Sequence, residues 1–204
     1  MKVLTLNCHA WQEENQLQKI KHLAEVIKEK NYDVIALQEV MQLVDPSDDE
    51  KVKKDNYAVV LLHELMKLGV TDYQFVWDFA HIGFDIYEEG LAVLTRLPIK
   101  KADSFVITNQ DDIHNFRTRR VVGVEVMNGD QPMSIYSCHL GWYHDEEEPF
   151  KNQVDRLVAK LPQNQLALVM GDFNNDANIR NEGYDYLLSK GLVDTYTLAE
   201  EKDS

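Results

Sequence analysis

The chain has 204 residues, 44% hydrophobic and 27% charged, a composition that excludes disorder over most of its length. Its 35 acidic residues outweigh 21 basic ones and leave a net charge of −14, which opposes binding along a nucleic-acid backbone. No apolar run reaches the roughly 18–20 residues that span a bilayer, so no membrane partner is expected.

The predicted elements follow in chain order. Val3 to Cys8 is a buried strand, entered without the long apolar segment of a signal peptide, so the cytoplasm is the expected compartment. Leu17, Ile20, Leu23, Ala24 and Ile27 recur at helical spacing within Glu14 to Lys30. Val34 to Gln38 is a second buried strand, ending at Glu39. Asp45 to Asp55 is charged and reads as an exposed loop. Tyr57 to Leu68 is a helix stopped at Gly69. Strands then dominate: Tyr73 to Phe79, Leu91 to Thr95, Ala102 to Thr108, Arg120 to Met127 and Met133 to His139. Asn128-Gly129 is a hairpin turn signal. Phe150 to Leu161 is a third helix, Leu166 to Met170 another buried strand, and Tyr184 to Lys190 a short helix. Thr195 to Ser204 is polar and carries no core pattern.

The two cysteines, Cys8 and Cys138, lie inside apolar runs and show no disulfide or zinc spacing. Helices set among hairpin-linked strands favour mixed sheets with helices outside, and two sheets packed face to face fit the strand count. No linker divides the chain, so 1–204 reads as one domain.

Polar groups gather where strands end: Asn7 and His9, Gln38-Glu39, His139, and Asp172-x-Asn174. Any one of these is an ordinary cap or turn residue. Four strand ends with metal-binding or proton-transfer groups suit a preorganised site.

Leu4-Thr5-Leu6-Asn7, Leu37-Gln38-Glu39-Val40, Glu89-Gly90-Leu91-Ala92-Val93-Leu94, Ser137-Cys138-His139-Leu140 and Gly171-Asp172-Phe173-Asn174 resemble the ordered motifs of the endonuclease/exonuclease/phosphatase superfamily. The resemblance implies a four-layer α/β/β/α sandwich and Mg²⁺-dependent phosphoester hydrolysis, with Mn²⁺ as the other metal. It implies that Glu39 holds the metal with Asn7 beside it, and that Asp172 orients or deprotonates the attacking water. Asn174 would bond that water or a phosphate oxygen. His139 would donate to the phosphate, with Glu89 orienting it from behind.

Further residues carry two readings each. His9 stands where many relatives have an acidic residue; it is a substrate contact, a group behind the metal, or a loop residue. Arg120 opens a strand, as a phosphate contact or as a surface charge, and the cluster Arg117-Thr118-Arg119-Arg120 is enough to clamp one phosphate but not to track a duplex. Trp11, Trp142 and Tyr143 form an aromatic wall for a sugar, or simply pack. The acidic run from His144 to Glu148 reads as a solvated loop.

The family pattern closes on an Asp-His pair that is absent here. Gly191 to Thr195 matches the segment whose Asp orients that histidine, which assigns the role to Asp194 and leaves it without its partner. The chain is then expected to lack at least one C-terminal strand. A shortened chain, an inactive homologue, and substitution by His9 or His144 are the competing explanations.

The expected reaction is that of a phosphatase acting on a small phosphorylated sugar. The alternatives are a nuclease of the same superfamily and a non-catalytic binding homologue. The opening Leu4 to Gln16 resembles the start of bacterial maltose 6′-phosphate phosphatases. The oligomeric state stays open.

Overall fold

A computed structural model describes residues 1–202. Among these the chain forms β1 (Val3–Asn7), α1 (Gln16–Lys30), β2 (Val34–Leu43), α2 (Tyr57–Lys67), β3 (Gln74–Gly83), β4 (Tyr87–Thr95) and β5 (Ile99–Val106). There follow β6 (Arg120–Asn128), β7 (Gln131–His139), α3 (Phe150–Lys160), β8 (Leu166–Asp172), α4 (Gly183–Ser189) and α5 (Thr195–Leu198).

The strands form two four-stranded mixed sheets, ordered β1-β2-β4-β3 and β5-β6-β7-β8. The β1/β2 and β7/β8 pairs are parallel and the others antiparallel. The sheets stack so that β1 lies over β8, β2 over β7, β4 over β6 and β3 over β5. This is the expected four-layer arrangement, and its three apolar seams show why these sequences fold this way.

In the first seam Ile20, Ala24 and Ile27 of α1 and Leu61 and Leu65 of α2 cover Ile35, Leu37 and Leu94. In the second, Val34, Ala36 and Val93 meet Val122, Val124 and Ile135 between the sheets. In the third, Phe150, Val154 and Leu157 of α3 cover Val121, Tyr136 and Cys138. Strand β2 is thus buried on both faces, which is why it reads as continuous rather than alternating hydrophobicity. Each fully buried Ile or Leu contributes about 1.5–3 kcal/mol relative to exposure.

Local chemistry sets the helix ends. The α1 helix stops at Asn31, which takes a left-handed φ of 56° and returns its N–H to the Ile27 carbonyl. The α2 helix starts where the Asn56 side chain accepts from the Ala58 N–H.

Five expectations are corrected. Strands β1 and β8, both expected to be buried, are the edges of their sheets and only partly covered, with Val3 39% and Leu166 64% exposed. The second strand does not end at Glu39; β2 continues to Leu43 through a register shift between Leu37 and Val40. The β6–β7 turn lies one residue later than Asn128-Gly129, because Asn128 pairs with Gln131 and the loop is Gly129-Asp130. Gly129 supplies the φ of +65° that this two-residue loop needs. The C-terminal stretch contains a helical turn, α5, which buries none of its side chains; the last two positions of that stretch lie outside the described residues. Among the described residues no helix is long and apolar enough to cross a membrane.

Candidate functional site

The stacking of strand on strand brings the predicted residues together in facing pairs. Asn7 of β1 meets Asp172 of β8, with Nδ2 donating to Oδ2 at 3.1 Å. Beside them, Glu39 of β2 faces His139 of β7, Oε1 to Nε2 at 3.9 Å. Next in order, β4 supplies Glu89, and Arg119 immediately precedes the β6 strand that lies under it.

Backbone irregularity aims several of these groups. Glu39 sits in the β2 bulge with a φ of 52°, a left-handed conformation that costs a residue with a side chain about 1–2 kcal/mol. The bulge turns its carboxylate to Asn7, whose Nδ2 donates to Oε1 at 2.8 Å. One amide therefore ties the Glu39 and Asp172 carboxylates together. Asp172 is set by Gly171, where an added Cβ would stand 1.9 Å from the Cys138 carbonyl oxygen. Asn174, also left-handed at φ 49°, donates its backbone N–H to Asp172 Oδ1 at 2.8 Å.

The Asn174 side chain then fixes His139. Its Nδ2 donates to the Leu140 carbonyl at 2.8 Å and faces His139 Nε2 at 3.0 Å. An amide nitrogen carries only hydrogens, so Nε2 is an acceptor and the imidazole is neutral. Burial, reinforced by Arg119 and then His81, pulls the His139 pKa down to about 3, against the opposing field of Asp172. In this arrangement Nε2 does not offer the expected donor to phosphate.

Glu89 does not stand behind His139. Its Oε1 lies 3.6 Å from Nε2 of His81, a buried histidine of β3 whose Nδ1 bonds the Thr118 carbonyl at 3.1 Å. Burial, then repulsion from Glu39, pushes the Glu89 carboxyl up to about 7, with Arg119 acting against them. Burial, then Arg119, pulls His81 down to about 4.

The remaining candidates divide. Arg120 is held away from the cluster by Asp78 at 3.4 Å and Asp111 at 3.2 Å, and Lys51 joins Asp78 at 2.9 Å. Asp194 caps α5 by accepting from the Tyr196 N–H at 2.8 Å and takes the Tyr184 hydroxyl at 2.9 Å. It is therefore partnered, though not by a histidine. His9 donates its backbone N–H to Asn7 Oδ1 at 3.1 Å, while its ring turns to Glu13 at 2.8 Å. Trp11 bonds the Met41 carbonyl at 3.1 Å and packs edge-on to Tyr57. Trp142 is 46% exposed, Tyr143 bonds the Asn181 carbonyl, and His144 pairs with Glu182.

Sequence reasoning missed one residue and did not single out another from its cluster. His81 lies inside an apolar strand and carries no motif. Arg119 adjoins Arg120, and nothing in an Arg-Arg pair says which member turns to the site. Arg119 is 5% exposed, and its field acts on His81, Glu89 and His139.

A cavity of about 360 Å³ opens on the β1–β8 flank, lined by Thr5, Asn7, Gln38, Asp172, Phe173 and Asn174 among others. Among the described residues no three His, Cys, Asp or Glu side chains form a chelating cage. The donors are hard oxygens, one carboxylate at Glu39 with Asp172 close by. That set fits a cation which keeps most of its water and binds through one or two carboxylates.

The Endonuclease/Exonuclease/phosphatase family profile matches residues 7–188. A family protein from Leptotrichia buccalis C-1013-b is 43% identical, with a TM-score of 0.95; the match covers all of this chain and 77% of that one. The mannosyl-6-phosphatase from Bacteroides thetaiotaomicron VPI-5482 shares the fold at 15% identity and TM-score 0.64, over 93% of this chain and 69% of that one. TDP2 from C. elegans does so at 22% identity and TM-score 0.57, over 85% of this chain and 48% of that one. No match was found among curated proteins.

Proposed function

Because this chain belongs to the endonuclease/exonuclease/phosphatase family, we propose that it is a Mg²⁺-dependent phosphatase acting on a small sugar phosphate such as maltose 6′-phosphate. The observation that carries the reading is the hydrogen-bonded cluster of Asn7, Glu39, Asp172, Asn174 and His139 at the meeting of the two sheets. Family enzymes generally use divalent metal ions. A sugar phosphate is favoured over nucleic acid by the net charge of −14, since a polyanion needs a basic track. The likeness of the opening segment to maltose 6′-phosphate phosphatases and the shared fold of a mannosyl-6-phosphatase point the same way. Two buried free thiols agree with a reducing cytoplasm.

Hydrolysis joins a water oxygen to phosphorus and breaks the bond from phosphorus to the sugar oxygen, which leaves with the bonding pair and takes up a proton from solvent. The proton leaving the water needs a fixed base. Asp172 is that base, because Asn7 and the Asn174 N–H hold both of its oxygens in place. Glu39, with Asn7 beside it, is the metal-holding residue. A divalent cation bound there supplies charge neutralisation for the phosphoryl oxygens. His139 is a positioning residue: its neutral ring holds the Asn174 amide next to Asp172.

The test is phosphate release from maltose 6′-phosphate and mannose 6-phosphate, with Mg²⁺, with Mn²⁺ and with chelator, beside a plasmid-nicking assay. Metal-dependent release with no nicking is the expected result. Nicking alone replaces the phosphatase with a nuclease, and neither activity replaces it with a binding homologue.

A further inference from the structure

We propose that Arg119 receives the phosphate group of the substrate, from a position beneath the exposed ring of Trp142. The proposal rests on the phosphoester reading above and names the anion-binding residue that the cluster itself lacks.

An anionic group needs N–H donors that are not already engaged. Asn7 gives its amide hydrogens to Glu39 and Asp172, and Asn174 gives its own to His139 and Leu140. Asn175 bonds the Phe173 and Gly141 carbonyls. His139 Nε2 accepts from Asn174, and the neutral ring carries its one proton on Nδ1. His81 gives its Nδ1 proton to the Thr118 carbonyl, which leaves Nε2 as an acceptor. The other groups of the cluster are the carboxyls of Glu39, Glu89 and Asp172, which give a phosphate no cationic partner.

Arg119 supplies what is missing. Its guanidinium is buried and makes one side-chain hydrogen bond, from Nη1 to the Phe116 carbonyl at 3.0 Å. Its Nε has no partner, and among the described residues no carboxylate lies within 4.0 Å of it. Arg96 and Arg120 also have an unbonded Nε, but each is paired: Arg96 with Asp72 at 3.3 Å, Arg120 with Asp78 and Asp111. Arg119 alone of the three is a buried cation without a contacting counter-ion. Such a charge is costly to keep unless a ligand completes it. A phosphate oxygen pair matches the planar fork of a guanidinium. Glu89, Glu39 and Asp172 act on Arg119 through space, which places it within the field of the proposed catalytic groups. The Arg119 guanidinium carbon stands 5.8 Å from the Trp142 ring centroid, so an anion arriving there also reaches the indole.

The experiment is a tryptophan-fluorescence titration with inorganic phosphate in the presence of Mg²⁺, on the wild type and on Arg119→Gln, Arg119→Lys, Arg120→Gln and Trp142→Phe. Trp77 is buried and Trp11 half-buried, so the response is expected to vanish in Trp142→Phe. Arg119→Gln is expected to weaken phosphate binding on the order of 10–100-fold, the worth of a hydrogen bond to a charged group. Arg119→Lys should recover part of that loss, and Arg120→Gln should stay within about twofold of wild type. Equal affinity in wild type and Arg119→Gln overturns the proposal, as does absence of phosphate binding by calorimetry in the wild type. If Arg119→Gln fails to fold, Arg119→Lys decides, since unchanged affinity in that variant removes the case for the planar fork. Phosphate binding through Arg119 without release from any sugar phosphate keeps the proposal and rejects the substrate. Sugar-phosphate hydrolysis with an unchanged KM in Arg119→Gln does the reverse.

Discussion

Asn7 and Asp172 stand 165 residues apart in the chain and 3.1 Å apart in space, joined by one amide hydrogen bond across the gap between the two sheets. The same amide reaches Glu39 at 2.8 Å. Removing it leaves two carboxylates without the donor they share.

Asn7→Ala should therefore lower kcat about 10²-fold, because Asp172 loses its orientation toward the water. Stability should fall by about 1.5–4 kcal/mol, since three side-chain hydrogen bonds are lost at about 0.5–1.5 kcal/mol each. Phosphate-release kinetics and thermal melts of the same preparation check the two parts. An activity near wild type removes Asn7 from the site.

Glu39 is the residue proposed to hold the metal. Glu39→Gln should raise the Mg²⁺ concentration needed for half-maximal activity by roughly tenfold or more, since one hard anionic oxygen is lost. A direct Mn²⁺ titration by electron paramagnetic resonance should show the same weakening. Unchanged Mn²⁺ affinity moves the metal elsewhere.

Two buried groups give stability opposite pH dependences. His81 has a folded-state pKa near 4, below its ordinary 6.5, so its contribution is complete above pH 6.5 and is lost as pH falls through 4. Glu89 has a folded-state pKa near 7, above its ordinary 4.5, so its penalty is complete above pH 7 and gone below 4.5. Measured in chelator, Glu89→Gln should be more stable than wild type at pH 8, and the gain should disappear by pH 4.5. His81→Asn should lose less stability than wild type between pH 6.5 and 4.5. Each bears at most about 1.4 kcal/mol per pH unit. Parallel stability curves for the three proteins would falsify both assignments.

Gly171→Ala should destabilise the protein by about 2–4 kcal/mol, because its Cβ would stand 1.9 Å from the Cys138 carbonyl, where neither strand can yield without breaking the β7–β8 ladder. Denaturant titration gives the value. A loss under about 0.5 kcal/mol would show that the strands separate more easily than their packing implies.

Much of this fold was legible without coordinates. The helical spacing of Ile20, Ala24 and Ile27 and the two-sided apolar run that opens β2 depend only on local period, and both elements occur, β2 running past its expected end. The strand-end motifs also named most of the cluster. What was not legible has a common cause. The β2 bulge shows in a left-handed φ at Glu39 and in a slipped pairing with β4, neither of which hydrophobicity records. Glu89 was expected behind His139 and instead meets His81, and Arg120, read as a phosphate contact or a surface charge, pairs with Asp78 and Asp111 while its neighbour Arg119 turns to the cluster. In both cases the error is a choice of neighbour across the sandwich.

The amino-acid sequence by itself determined the kind and order of the elements, the family, and which polar residues stand at strand ends. Only the tertiary structure decided which strand lies over which, and so which side chain meets which. Alternation along a strand specifies the face a residue occupies. It does not specify the partner strand, which follows from packing three apolar seams at once. That packing sets Asn7 over Asp172 and leaves the guanidinium of Arg119 buried without a counter-ion.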